Sequence, residues 1–197
     1  MKIIVIGSNG TIGNYVYQHL RTKHEVIGVS RTVGNVDISK PESVLEFFEK
    51  TGKVDAVVNC AGAVKWNDLY NMSEEDFYVG IKSKMMGQVN LVRIAKDFLN
   101  PNGSITLTTG ILADDPVYKT SGAALVNGGI NSFVVAAARE LRNGIRINVV
   151  SPGLVEASAD KIGELFPGHE PVSMVKVING YVKSIQGNIT GEVIRIY

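Results

Sequence analysis

The sequence predicts an α/β fold: one parallel β-sheet with helices packed on both of its faces. Patterns typical of strands and of helices alternate along the whole chain, as they do in a parallel sheet with crossover helices. The strand patterns are short, β-branched and nearly continuously apolar, as in strands buried on both faces. The 197 residues contain no repeat, linker or low-complexity stretch, so we expect a single domain.

The strand patterns are apolar runs of four to nine residues, and the first is KIIVI at the amino terminus. VDIS is a candidate for a short additional strand, and VDAVVNCAG is an apolar strand that ends in a turn. In chain order the predicted strands are Lys2–Ile6, Glu25–Ser30, Val36–Ser39, Val54–Gly62, Gly103–Gly110, Ile145–Gly153 and Gly191–Tyr197.

The helix patterns are identified by apolar spacing and by end signals. In the first helix, Ile12, Val16 and Leu20 share one face. The second has Pro41 in its first turn and Gly52 after its end. The segment 74–99 is helical, in one or two pieces. In chain order the predicted helices are Thr11–Thr22, Pro41–Gly52, 74–99, Val117–Gly144 and Pro171–Gln186.

Composition and charge exclude several classes of partner. Lys and Arg number 20 and Asp and Glu number 19, which gives no electrostatic reason to expect nucleic acid or an anionic membrane. One cysteine, Cys60, rules out an internal disulfide and fits a reducing compartment. The apolar start of the chain is too short for a signal peptide, and no run approaches about 18 apolar residues. We therefore expect a soluble cytoplasmic protein.

The turn after the first strand, GSNGTIG, predicts a dinucleotide site. Gly7 would allow the tight turn from strand to helix, Gly10 would let a pyrophosphate approach the backbone, and Gly13 would let the helix lie close to the sheet. The free N–H groups at the helix start would then hold the phosphates. A purely structural glycine turn is the alternative. The candidate residues in this turn are Gly7, Ser8, Asn9, Gly10, Thr11, Ile12 and Gly13.

The end of the second strand indicates which cofactor is bound. A carboxylate there would bind the ribose 2′-hydroxyl of NAD, but this chain has Ser30 and Arg31. A guanidinium suits a 2′-phosphate because it is always charged and can bind it with two N–H groups. Arg31 as an ordinary solvated residue is the alternative, and we expect NADP(H).

Several further motifs occur in one order along the chain. They are the glycine turn, DI at Asp37–Ile38, NCAG at Asn59–Gly62, Y…AAL at Tyr118–Leu125, GIRINVVSPGLV at Gly144–Val155 and ITGEVI at Ile189–Ile194. In this order they resemble the short-chain dehydrogenase/reductase family over nearly the whole chain.

The resemblance implies a Rossmann-type, doubly wound sheet of seven strands. It implies that Asp37 and Ile38 contact the adenine and that Asn59, Cys60, Ala61 and Gly62 line the cofactor cleft. It also implies that Pro152, Gly153 and Val155 border the nicotinamide. The segment after SPGLV, which usually forms the substrate lid, is much reduced here, so we expect an open pocket. Trp66 follows NCAG and is a candidate for the rim of the cleft.

The catalytic residues depart from the family pattern. The family uses a serine, a tyrosine and a lysine four residues after the tyrosine, a spacing that puts both side chains on one helical face. Alignment by AAL puts Tyr118 at the tyrosine position and Gly122 at the lysine position. The serine position falls at Gly110 or, with a shift of one residue, at Thr109. Lys84 takes the place of an asparagine that usually lies near the vacant lysine position.

Each catalytic candidate has a structural alternative. Tyr118 is either a proton donor that lost its lysine or an aromatic residue at a helix entrance. Thr109 and its neighbour Thr108 fit ordinary strand residues better than catalytic ones. Lys84 also fits a solvated helix lysine. The three histidines show no metal-ligand spacing, and Cys60 fits a buried small hydrophobe better than a nucleophile.

Two functions fit these motifs. The first is an NADP(H)-dependent reductase of a small carbonyl compound, since a tyrosine with a pKa near 10 is protonated at pH 7 and can donate its proton. The second is an NADP(H)-binding sensor or regulator with little turnover. The helix Tyr118–Arg142 is apolar nearly all round and contains Gly128 and Gly129. With the MMGQVNLV helix it predicts a homodimer or homotetramer.

Overall fold

The computed structural model describes residues 1–197. Six parallel strands form one sheet in the order β2-β1-β3-β4-β5-β6. The strands are β1 (Lys2–Ile6), β2 (Glu25–Val29), β3 (Val54–Asn59), β4 (Leu99–Thr108), β5 (Arg146–Pro152) and β6 (Val193–Ile196). The helices are α1 (Thr11–Leu20), α2 (Pro41–Thr51), α3 (Glu74–Gly80), α4 (Met86–Ala95), α5 (Ser121–Ala137), α6 (Glu156–Ile162) and α7 (Met174–Gln186).

Helices cover both faces of the sheet, which confirms the doubly wound α/β fold. The period of two along β1 sends Ile4 and Ile6 into a core with α2, α4 and α5, while Ile3 and Val5 join a second core with α1 and α7. Phe48 and Tyr181 are among the largest fully buried side chains of these two cores. No helix combines the length and apolarity needed to cross a bilayer.

The expected seventh strand is absent, because Val36–Ser39 does not pair with the sheet. Only residues 30–35 separate it from β2, whereas a crossover between parallel strands needs a dozen residues or more. The chain turns through Gly34 and Asn35, whose φ angles are 74° and 54°. Val36 and Ile38 are nevertheless buried in the core, which explains why this segment has the composition of a strand.

Two predicted helices differ most from the structure in their bounds. The long helix starts at Ser121 rather than Val117 because Lys119 has a φ of 68°, and it ends at Ala137. The segment 74–99 contains α3, a π-helical segment at Ile81–Met85 and α4. Such π-helical turns are rare and occur frequently at functional sites. The reduced segment after β5 contains α6, which the sequence did not indicate.

Candidate functional site

Two pockets lie beside each other at the carboxyl edge of the sheet, where open α/β sheets bind ligands. The first, which we call the cofactor cleft, has a volume of about 260 Å³. It brings together ten residues predicted from the sequence: Gly7, Asn9, Gly10, Ser30, Arg31, Asp37, Ile38, Cys60, Ala61 and Gly62. These residues come from the ends of β1, β2 and β3 and from the Asp37–Ile38 segment after β2, so four separate motifs meet at one site.

The glycine turn has the close backbone approach that a dinucleotide site requires. Gly7 has a φ of 81°, and a Cβ there would lie 2.8 Å from the Ala61 nitrogen. A Cβ on Gly13 would lie 2.0 Å from the Gly7 carbonyl oxygen, so α1 can lie against β1 only with glycine at this position. Gly10 is the N-cap of α1 and has no side chain to cover the free N–H groups of the first turn. This backbone fits the pyrophosphate of a dinucleotide.

The end of β2 forms a polar rim of the cofactor cleft. The Asn9 amide donates to the Thr32 hydroxyl at 2.8 Å, and the Ser30 hydroxyl accepts from the N–H groups of Thr32 and Val33. Arg31 lines the cleft and takes part in no ion pair. Asp37 lies in the same cleft, where the Ser39 hydroxyl donates to its carboxylate at 2.7 Å. The rim therefore offers an unpaired guanidinium and several hydroxyl groups to a ligand.

The residues that line the cofactor cleft differ in part from those predicted from the sequence. Ser8, Thr11, Gly13 and Asn59 line neither pocket and shape the turn and strand behind the cleft. Five lining residues were not predicted: Thr32, Val36, Ser39, Ala63 and Ser83. Four of these directly follow or flank predicted residues, so extending each motif by one or two positions would have found them. Ser83, from the π-helical segment, directly precedes the catalytic candidate Lys84, but no cofactor motif in the sequence indicates it.

The second pocket, which we call the apolar pocket, also has a volume of about 260 Å³. The predicted residues Ile12, Pro152, Gly153 and Val155 lie here. Lys84 and Thr109, both catalytic candidates, line it as well. The other lining residues are Val64, Trp66, Gly110, Ile111, Leu112, Ala123, Asn127, Leu154, Ser158, Ile162 and Phe166. The loop after β3 contributes to both pockets, so a ligand in one would lie near a ligand in the other.

The reduced lid segment after β5 lines one side of the apolar pocket. Phe166 is buried beside Leu154 and Ile111, and it packs against Trp66 with ring centroids 6.1 Å apart. Glu156 accepts a hydrogen bond from the N–H of Met174 at 2.8 Å, which ties the lid to the start of α7. The short segment after β5 therefore still forms one wall of the pocket.

Lys84 is the cation of the apolar pocket. Its Nζ donates to the Asn127 Oδ1 at 2.8 Å and lies 3.5 Å from the Thr109 carbonyl oxygen. Burial lowers the pKa of Lys84 to about 8, and no neighbouring charge contributes. Gly62, with a φ of 136°, leaves room for the lysine stem: a Cβ there would lie 2.6 Å from the Lys84 Cγ.

Tyr118 lies away from both pockets. Its side chain is 68% exposed, and its hydroxyl donates to Asp68. That hydrogen bond raises the pKa of Tyr118. A side chain at Gly122 would meet the Met72 and Lys65 atoms of a neighbouring loop, so this position does not face the pocket either. The α5 residues that line the apolar pocket are Ala123 and Asn127, which have the same spacing of four residues.

The two threonines at the end of β4 have different surroundings. The Thr108 hydroxyl is buried between the Asn59 carbonyl oxygen and the Tyr181 hydroxyl, at 2.5 and 2.7 Å. Thr109 lines the apolar pocket, but its hydroxyl donates to Asn131 at 2.9 Å. Both hydroxyl groups are therefore held by protein partners.

Comparison with known proteins links this arrangement to a family. A family model described as enoyl-(acyl carrier protein) reductase matches residues 13–173. Bovine 3-hydroxyacyl-CoA dehydrogenase type-2 (Bos taurus) is 25% identical over 207 residues, covering 89% of this chain and 78% of the bovine protein. Human (3R)-3-hydroxyacyl-CoA dehydrogenase (Homo sapiens) is 30% identical over 171 residues, covering 79% of this chain and 65% of the human protein.

Solved structures match the whole chain. The protein lin1944 from Listeria innocua has a TM-score of 0.97 at 43% identity, with all of both chains covered. A small-chain dehydrogenase in complex with NADPH has a TM-score of 0.89 at 29% identity, covering 100% of this chain and 96% of the other.

Proposed function

Because this chain belongs to the short-chain dehydrogenase/reductase family, we propose that it is an NADP(H)-dependent reductase of a small carbonyl compound. The observation that carries the proposal is the pair of adjoining pockets. One has a dinucleotide cradle, and the other is an apolar pocket with a single ammonium group. When bound, the reduced cofactor supplies a hydride to a carbonyl carbon.

NADP(H) as the cofactor is supported by the cofactor cleft. Backbone N–H groups at the start of α1 would bind the pyrophosphate. Arg31, with the hydroxyl groups of Ser30 and Thr32, would bind the 2′-phosphate, while Asp37 and Ile38 would contact the adenine. The NADPH complex of a related dehydrogenase supports the same choice.

The apolar pocket supports the proposed substrate class. Ten of its 17 lining residues are hydrophobic, so it suits a small carbonyl compound with aliphatic or aromatic substituents. Lys84 supplies the one charge, and an ammonium stabilises the negative charge that develops on a carbonyl oxygen during reduction. We expect the reduction direction to dominate at pH 7, where Lys84 is largely protonated.

The alternative function, an NADP(H)-binding sensor or regulator, is favoured by the position of Tyr118. Its exposed hydroxyl pairs with Asp68, so the family's usual proton donor is missing from the pocket. The prediction that Tyr118 is the proton donor is untested, and the position of its hydroxyl on Asp68 gives it no support. We also propose a cytoplasmic location and a homodimer or homotetramer built on α4 and α5, with no nucleic-acid or membrane partner.

One pair of measurements separates the two functions. Calorimetry with NADPH measures binding, and the loss of NADPH absorbance with benzaldehyde, acetophenone and cyclohexanone measures reduction. Binding together with reduction of at least one carbonyl supports the reductase. Tight binding without any reduction supports the sensor, and absence of NADPH binding contradicts both.

A further inference from the structure

We propose that Lys84 donates the proton to the substrate's carbonyl oxygen, the role that the family gives to tyrosine, and that Asn127 positions its ammonium group. This inference rests on the proposed reductase function and assigns its proton donor. It starts from the geometry around Lys84, the only cation in a pocket lined mainly by hydrophobic residues.

The surrounding structure is built to hold this lysine. The π-helical segment Ile81–Met85 places Ser83 in the cofactor cleft and Lys84 in the apolar pocket, on consecutive residues. Glycine at position 62 leaves room for the lysine stem, because a Cβ there would lie only 2.6 Å from the Lys84 Cγ. An ammonium group has three N–H donors. Asn127 and the Thr109 carbonyl accept two of them, which leaves one for a substrate oxygen.

No other group in the apolar pocket can supply a proton near neutral pH. Lys84 is the only ionisable side chain among the lining residues. From α5 it is faced by the neutral Asn127, and from the end of β4 by Thr109, whose hydroxyl is already bound to Asn131. Of the charged neighbours, Lys65 and Asp76 pair with each other at 3.6 Å outside the pocket.

The proton balance of the step is simple. The hydride adds to the carbonyl carbon, the C=O π electrons move to oxygen, and oxygen takes a proton from Nζ of Lys84. The products are the alcohol, the oxidised cofactor and a neutral amine, which regains its proton from water. Because burial lowers the pKa of Lys84 to about 8, it is a stronger acid than a tyrosine with a pKa near 10, and it is still about nine-tenths protonated at pH 7.

Substitutions at Lys84 test the role directly. Lys84→Met keeps an unbranched side chain without the proton, and Lys84→Arg keeps a charge that does not dissociate below about pH 12. We expect both to lower the kcat of carbonyl reduction about a hundredfold or more. The matched control is Lys82→Met, since Lys82 is exposed two residues earlier and lies over the Tyr78 ring. It is expected to keep wild-type activity.

The pH profile tests whether the ammonium form of Lys84 is required, and Lys84→Arg separates proton donation from simple charge stabilisation. Wild-type reduction is expected to fall as the pH rises through about 8, because the ammonium is then lost. Asn127→Asp adds a negative charge beside Nζ and should move this fall to higher pH if the titration of Lys84 sets the profile, whereas a fall set by another group would not move. Full activity in Lys84→Arg would overturn the proton-donor role.

A second readout needs neither cofactor nor turnover. Benzoate combines an apolar ring with carboxylate oxygens, so it mimics an apolar substrate with charge on its oxygen. Titration of Lys84 by NMR, assigned with Lys84→Met, should show a midpoint near pH 8 that benzoate raises. Benzoate should also bind about tenfold more weakly to Lys84→Met. An unchanged midpoint would overturn the proposal, as would equal benzoate affinity.

Failure of this proposal can be told apart from failure of the proposed function. If the wild type reduces a carbonyl and Lys84→Met does so at the same rate and with the same pH profile, only the role of Lys84 is refuted. If the wild type oxidises no NADPH with any of the three carbonyls, the reductase function itself is refuted, and proton donation is refuted with it.

Discussion

The cofactor cleft and the apolar pocket lie side by side on one edge of the sheet, yet they relate to the sequence in opposite ways. The cleft is formed by motifs that the sequence displays, such as the glycine turn and the NCAG turn. The apolar pocket is lined by Ala123 and Asn127 on the helix where the family motif places a tyrosine and a lysine. Its one ionisable side chain, Lys84, comes from a different helix.

The difference follows from how each pocket binds its ligand. A pyrophosphate is held by backbone N–H groups, and only glycine permits that backbone, so few sequences can form the cradle. A proton donor is a side chain, and any element that faces the pocket can provide one. The sequence of the cofactor cleft is therefore restricted, whereas the apolar pocket can take its proton donor from a different residue and keep its shape.

The largest expected effect on stability and cofactor binding comes from Gly13→Ala, which alters the glycine turn of the cofactor cleft. The new Cβ would lie 2.0 Å from the Gly7 carbonyl oxygen, so α1 must move away from β1. We expect about 1–3 kcal/mol of lost stability and about a hundredfold loss of NADPH affinity. Thermal unfolding and calorimetry measure the two effects.

Gly10→Ala is the matched variant, because its Cβ would meet the same Gly7 oxygen at 3.3 Å, a close contact that needs a much smaller shift than the 2.0 Å contact at Gly13. It should lower NADPH affinity with little change in thermal stability. Wild-type affinity in both variants would show that the turn does not hold the pyrophosphate, and the contrast between the two pockets would then fail.

The next largest effect is expected for Arg31→Ala. A charge-assisted contact to the 2′-phosphate contributes roughly 1.5–3 kcal/mol, or about ten- to a hundredfold in affinity. The variant should bind NADPH more weakly by that factor and bind NADH with unchanged affinity, as measured by calorimetry with both cofactors. Asp37 lines the same cleft and opposes Arg31, since its carboxylate would repel a 2′-phosphate. Equal NADPH and NADH affinities in the wild type would refute the cofactor preference.

A smaller effect is expected for Gly128→Ala in the middle of α5. No atom beyond the local backbone of α5 lies within 4 Å of the position of the new methyl group, so an isolated chain should gain about 0.5–1 kcal/mol. If α5 packs against a second copy, the methyl group should instead weaken the oligomer, which light scattering at about micromolar concentration would detect. Gly163→Ala, whose Cβ would meet only Leu154 at 3.9 Å, is the control outside α5. A monomeric wild type would refute the predicted assembly.

The smallest effect is expected for Tyr118→Phe. Because the Tyr118 hydroxyl is exposed and pairs with Asp68, we expect kcat of carbonyl reduction to stay within about twofold of wild type. Tyr70→Phe, at a side chain that is 98% exposed, is the control. A loss of about a hundredfold in Tyr118→Phe alone would return the proton-donor role to Tyr118 and remove it from Lys84.

The sequence by itself determined the alternation of strands and helices, the single domain and the glycine turn. These features depend on residues close together in the chain: the β-branched run of β1, the spacing of Ile12, Val16 and Leu20, and glycines three residues apart. It failed at Val36–Ser39, because burial alone gives an apolar run whether or not the segment pairs with a sheet. It failed likewise at Val117–Thr120, where the left-handed backbone of Lys119 stops a helix that the apolar pattern would extend.

Only the tertiary structure decided which side chains face the apolar pocket. Lys84 lies in it because the π-helical segment changes the direction in which consecutive side chains point. Gly62, more than twenty positions earlier in the chain, leaves room for the lysine stem. Tyr118 stays outside because its loop bends toward Asp68, fifty residues away in the chain. Contacts between residues so far apart in sequence leave no local periodicity, and one reversed φ angle is enough to change which face a side chain occupies.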